Sequence, residues 1–172
     1  MSRIDFVTGA PQKYMPLVQE LSLIPERVEA LLAGRSSRDL QQLRAEGEWS
    51  AARVSAHMAS YAIHNGEFIN QIAWMADPRR RPWDEDAEVA SMGWVGKGGD
   101  VLAEAIRAPI AETIELLSGT PDASWGRPGT VPGRGRRSLR QQVRAHIDHL
   151  DEHIEQLGAL LRAGEAVGAS SS

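Results

Sequence analysis

Four stretches of the chain repeat apolar residues at three- and four-residue steps, the period of a helix with one buried face. In the first, from about Pro16 to Leu32, Val18, Leu21, Ile24, Val28, Leu31 and Leu32 share a side. Pro16 suits a first turn, Pro25 is expected to kink or split the segment, and Gly34 ends it. The second begins at Trp49-Ser50, with Ser50 as N-cap. Val54, Met58, Tyr61, Phe68, Ile72 and Met75 mark its face before Asp77-Pro78 stops it. The third, about Asp100 to Leu117, carries Leu102, Ile106, Ile110, Ile114 and Leu117, with Asp100 as its expected cap and a bend expected at Pro109. The fourth runs from Ser138, another N-cap, to about Arg162, just ahead of Gly164. No segment shows a convincing strand pattern.

The connections differ in character. Residues 35–47 are polar, with room for a helical turn around Leu40 and Leu43. Residues 78–99 read as irregular and are too long for an idle link, so a lid or binding loop is expected there. Residues 119–137 are rich in Gly and Pro and end in Gly133-Arg134-Gly135-Arg136-Arg137. The expected fold is all-α, a four-helix bundle with long loops between helices 2 and 3 and between helices 3 and 4. A chain of 172 residues suits one domain. That domain is read as residues 1–163, followed by a flexible tail, 164–172.

Composition narrows the chemistry. The formal net charge is −4 and the basic residues are dispersed, which argues against nucleic acid as the partner. There is no cysteine, so no disulfide and no thiolate ligand or nucleophile exists, and any metal must sit on His, Asp or Glu. No run approaches ~18 uninterrupted apolar residues, so no membrane span is expected. Met1 to Phe6 lacks the basic start and apolar run of a signal peptide, which points to the cytoplasm.

All five histidines fall in two predicted helices: His57 and His64 in the second, His146, His149 and His153 in the fourth. On the fourth helix, His146, His149, His153 and Gln156 lie beside the apolar stripe, at an edge that turns toward a neighbour. Residues four apart sit with Cβ atoms roughly 6 Å from each other, so two imidazoles can converge on one ion. His149 and His153 have that spacing, and His146 with His149, three apart, is a geometric alternative. His57 and His64 lie two turns apart, so either can complete a three-histidine site. Three protein ligands would leave positions open for water or substrate. The competing expectation is a set of hydrogen-bonded packing histidines.

The segment Gly47-Glu48-Trp49-Ser50-Ala51-Ala52-Arg53-Val54-Ser55-Ala56-His57-Met58 resembles the "W-S-x-x-x-x-x-x-H-L" helix of the DinB/YfiT-like superfamily. His149-Leu150-Asp151-Glu152-His153-Ile154-Glu155-Gln156-Leu157 resembles its "H-x-x-x-H-x-x-Q-I" signature, and Asp84-Glu85-Asp86-Ala87 its "D-x-D-A". Order and spacing agree over roughly residues 12–162. The resemblance implies a four-helix bundle holding a divalent transition metal, nickel or zinc, on His57, His149 and His153. It also implies homodimers, and relatives that act as thiol S-transferases or isomerases with bacillithiol or mycothiol. Many members carry an acid three positions after the first ligand, where this chain has Ser60.

The expected function is therefore a metal-dependent enzyme that activates a thiol or water for a small-molecule substrate, a thiol S-transferase or hydrolase. The alternatives are a non-catalytic, stress-related metal-binding dimer and a plain bundle without metal. Other residues carry weaker expectations. His64 and His146 are expected to pack at helix edges, and Gln156 to hold a ligand or the helix packing. Asp84 and Asp86 could reach the metal or act as a base, but such acids more often are solvated or cap a helix. Glu67 is expected at the surface. Arg134, Arg136 and Arg137, like Arg79, Arg80 and Arg81, could receive a carboxylate or phosphate, with a solvated basic loop as the simpler expectation. The five tryptophans are expected chiefly to anchor loops to the core.

Overall fold

A computed structural model describes residues 10–170. Met1 to Phe6 and the last two serines lie outside the described residues. Four long helices form the bundle: α1 (Met15–Leu32), α3 (Ala51–Trp74), α5 (Gly99–Ser118) and α7 (Leu139–Ala169). Shorter elements decorate the connections: α2 (Ser37–Leu40), α4 (Glu85–Met92), α6 (Asp122–Trp125) and a hairpin of β1 (Pro128–Val131) and β2 (Gly135–Ser138).

The caps fall where side-chain chemistry places them. Ser50 accepts from the Arg53 N–H, and Ser138 forms a reciprocal capping box with Gln141. Asp100 does not cap α5, which starts one residue earlier. Its Oδ1 instead accepts from the Gly34 N–H at 2.9 Å, satisfying a donor just past the end of α1. Neither Pro25 nor Pro109 breaks its helix. α7 continues past Gly164 to Ala169, with Glu165 paired to Arg35 at 2.8 Å.

α1 packs against α5 and α7, and α3 packs against the same two. Successive bundle helices α1 and α3 thus stand across the core from one another, as do α5 and α7. The core is built from the expected stripes: Leu21, Val28, Ile72, Ile106, Ile110, Val143 and Leu150 are all fully buried. Among the described residues no helix is long and apolar enough to cross a membrane.

Two expectations change. Residues 78–99 hold α4, begun by Asp84, whose side chain accepts from the Ala87 N–H. The Gly/Pro-rich connection contains a hairpin rather than an unstructured loop. Arg134 N–H closes a turn on Val131 C=O at 3.0 Å, and Gly133 takes φ 75° behind Pro132, the residue order that a tight turn of this kind demands. Residues 78–80 lie alongside β1, with Arg80 N–H donating to Thr130 C=O at 2.9 Å.

One close approach sets the bundle's geometry. A Cβ on Gly99 would lie 1.8 Å from the Leu32 carbonyl oxygen, so only glycine lets α5 start against the end of α1. Gly99→Ala is expected to cost about 1–3 kcal/mol, read as a lower urea midpoint. Gly96→Ala, with no neighbour within 4 Å, serves as the control and should leave the midpoint nearly unchanged.

Candidate metal centre

Because α3 and α7 are neighbours, the polar edge of each meets the other. His57 on α3 faces His149 and His153 on α7, and one ring nitrogen from each lies within 4.8 Å of the others. His57 Nε2 and His149 Nε2 are 3.0 Å apart. The rings meet edge to face, with centroids 4.5 Å apart for His57–His153 and 4.6 Å for His149–His153. All three are half-buried.

The outer nitrogens are held. His57 Nδ1 donates to Glu85 Oε2 at 2.8 Å, and the other oxygen of Glu85 accepts from Arg53 at 2.9 Å. His153 Nδ1 donates to Gln156 Oε1 at 2.9 Å. A carboxylate or amide oxygen only accepts, so each Nδ1 carries the proton and each Nε2 keeps its lone pair. This is the arrangement by which outer partners fix the tautomer of metal-ligating histidines.

Burial, then the neighbouring His153, His57, Arg134 and Arg80, pushes the His149 imidazole down to about 4. Burial also lowers His153, against a smaller upward pull from Gln156. His149 therefore stays neutral at neutral pH, the form that coordinates. The three ligand nitrogens lie within 4.8 Å of one another, compact enough for one ion to be shared between them. The donor set fits a borderline divalent ion such as zinc or nickel.

A cleft of about 490 Å³ opens beside the cluster. His57, His149, Tyr61, Arg80, Arg134 and Arg137 are among the residues lining it. The Tyr61 ring lies 3.9 Å from that of His149, centroid to centroid. Burial pushes the phenol up to about 12, so its hydroxyl stays protonated and can donate into the cleft.

The remaining candidates separate clearly. His64 turns away: its Nε2 is 2.9 Å from Glu88 Oε1 and its ring stacks on Trp83. His146 is fully buried rather than at a helix edge, with Nδ1 2.8 Å from Asn65 Nδ2. Ser60 is buried and donates to the second oxygen of Glu88, while Trp83 Nε1 donates to Ser60 Oγ at 3.0 Å. Thus α4 brings the Glu88 carboxylate onto Ser60. Asp84 caps α4, and the exposed Asp86 pairs with Arg53 at 2.7 Å. Glu67 is exposed. Trp94 and Trp125 are buried anchors, whereas Trp49 and Trp74 are exposed.

Glu85 and Glu88 are contacts of the histidine helix that apolar periodicity does not mark. The signal was present: an N-capping aspartate followed by acids in the first turn, with Glu85 and Glu88 three apart on one helical face.

The sequence matches the DinB superfamily over residues 20–157. No curated protein matches it. Among solved structures, the chain is similar to YfiT from Bacillus subtilis, described as a probable metal-dependent hydrolase with an unusual four-helix bundle topology. That likeness has a TM-score of 0.78 at 16% identity, covering 95% of this chain and 92% of that one. With four-fifths of its length inside the family match, the chain belongs to the DinB superfamily.

Proposed function

We propose that the protein is a metal-dependent enzyme that activates water or a small thiol on His57, His149 and His153, with zinc or nickel as the ion. The observation that carries this is the convergence of three imidazole nitrogens within 4.8 Å, beside a cleft that His57 and His149 line. A divalent ion held there supplies Lewis acidity, lowering the pKa of a water or thiol that reaches its open side.

The chain's own groups do the rest. Glu85 and Gln156 orient His57 and His153 and raise their basicity as ligands. Burial keeps the His149 imidazole neutral at neutral pH. Tyr61 can donate a hydrogen bond to a substrate oxygen as negative charge develops on it. YfiT's description as a probable hydrolase favours water as the nucleophile, and the family resemblance adds a thiol.

The test is reconstitution with nickel, zinc and manganese in turn, followed by element analysis and a screen of ester, amide and thiol-plus-electrophile substrates. Turnover that needs the ion and disappears in His153→Ala is the expected result. Turnover unchanged by that substitution would overturn metal catalysis. Glu85→Ala is expected to weaken metal binding by about 10–100-fold, measured by competition with a chromophoric chelator.

A further inference from the structure

The cleft beside the histidines is lined by three arginines that form no ion pair among the described residues. Arg80 comes from the segment after α3, Arg134 from the hairpin turn and Arg137 from β2, and all three line the same cleft as His57 and His149. None of the three makes an ion pair among the described residues, whereas their neighbour Arg136 pairs with Asp77 at 3.3 Å. The acids of the cleft do not cancel them. Glu85 is engaged by Arg53 and His57, and Asp148 by Arg144 at 3.3 Å; Glu152 is exposed.

The arginines are also positioned. The Arg80 backbone is pinned to β1 through Thr130, and its guanidinium lies 5.6 Å from the Trp83 ring centre. Arg80 is half-buried, and burial, reinforced by Arg134 and Arg137, lowers its pKa. Arg137 is held in the ladder opposite Gly129, whose own Cα packs so closely on α3 that a Cβ would lie 2.6 Å from Ile72. Like charges gathered beside a site for a dication repel one another and the ion. An anion between them turns each repulsion into an attraction.

We propose that Arg80, Arg134 and Arg137 bind an oxyanion group of the substrate, a carboxylate or phosphate, and so hold its reacting end against the three histidines. Planar guanidinium groups match both oxyanions bidentately. The substrate class is thus a small anionic molecule. This inference rests on the proposed metal-centred reaction for its purpose, but anion binding itself does not require the ion.

The experiment is calorimetric titration of the metal-free and the nickel-loaded protein with succinate and with inorganic phosphate, at low ionic strength. At least one probe is expected to bind with a Kd of about 1–10 mM, and Arg134→Ala/Arg137→Ala to weaken it roughly tenfold or more. Arg136→Ala, whose arginine is paired with Asp77, is expected to leave binding unchanged. Circular dichroism verifies the fold of the double variant, in which the two replaced arginine side chains make no hydrogen bond among the described residues. Binding of succinate alone assigns a carboxylate and binding of phosphate alone a phosphate. No binding of either probe to either form, or equal binding by the folded double variant, overturns the proposal. Anion binding without metal uptake would leave this inference standing and remove the metal reading, and the converse result would do the opposite.

Discussion

His149→Ala is expected to reduce divalent-metal content from about one equivalent per chain to below about a tenth, because two histidines seldom hold a transition ion against buffer and water. His149 is the natural choice, since it approaches both of the other histidines. Its Nε2 is 3.0 Å from that of His57, and it shares the α7 edge with His153 one turn away. The helix should survive the change, because alanine is a good helix former and the ring is only half-buried. A second readout is stability. An ion that binds only the folded state at about 100 times its Kd adds about 2.7 kcal/mol, which the variant should no longer gain. His64→Ala is the matched control: its nitrogen is committed to Glu88, so metal content should stay near that of the unaltered protein. Full metal occupancy in His149→Ala would move the site elsewhere.

The fold was legible where one physical rule dominated. Buried stripes at helical period located α1, α3, α5 and α7, and Ser50 and Ser138 began helices because a hydroxyl there satisfies a free N–H. What periodicity could not reach was order around the core. Nothing in the stripe of α1 says that it stands diagonal to α3, because every stripe faces the same interior. The short elements escaped for a different reason. α4 buries only Val89, so its pattern carries almost no apolar signal, and its evidence lay in Asp84 and the acids after it. The hairpin was announced by Pro132-Gly133 and hidden by the arginines that follow, since β2 has no buried residue of its own.

The histidines show the same division. Spacing alone left His64 and His146 as alternatives to His57 and His153. The family resemblance chose among them, and the structure supplies a physical reason for the choice. His64 is drawn off by Glu88, a residue of α4. His146 is turned into the core toward Asn65. Both outcomes depend on contacts between residues far apart in sequence, which no local pattern records. The same holds for the arginine cleft: Arg80 and Arg137 look like two unrelated basic clusters until residues 78–80 lie along β1.

His146 should make the protein labile to acid. Its ring is fully buried and stacked on Tyr61 with centroids 5.4 Å apart. Asn65 donates to its Nδ1, and Gln142 in turn donates to Asn65 Oδ1 at 2.7 Å. The Nε2 atom has no hydrogen-bond partner among the described residues. No carboxylate is bonded to the ring, and burial, with a smaller push from His149, takes its pKa from the ordinary 6.5 down to about 3. The unfolded chain therefore binds this proton more readily than the folded one. Stability from His146 is complete above pH 6.5 and is lost progressively as the pH falls toward 3. At about 1.4 kcal/mol per pKa unit, this one proton can remove on the order of 4 kcal/mol. His149, lowered to about 4, acts in the same direction over a narrower window. Urea midpoints of metal-free protein between pH 7 and pH 4 should fall steeply. His146→Gln keeps an acceptor for Asn65 but cannot titrate, so its midpoints should fall much less, with the residual slope coming from His149 and His153. Parallel curves for the two proteins would show that the buried ring does not control acid unfolding. The distinction bears on the site, because acid that unfolds the core through His146 releases any ion on His149 and His153 with it, and only the variant separates loss of the fold from protonation of the ligands.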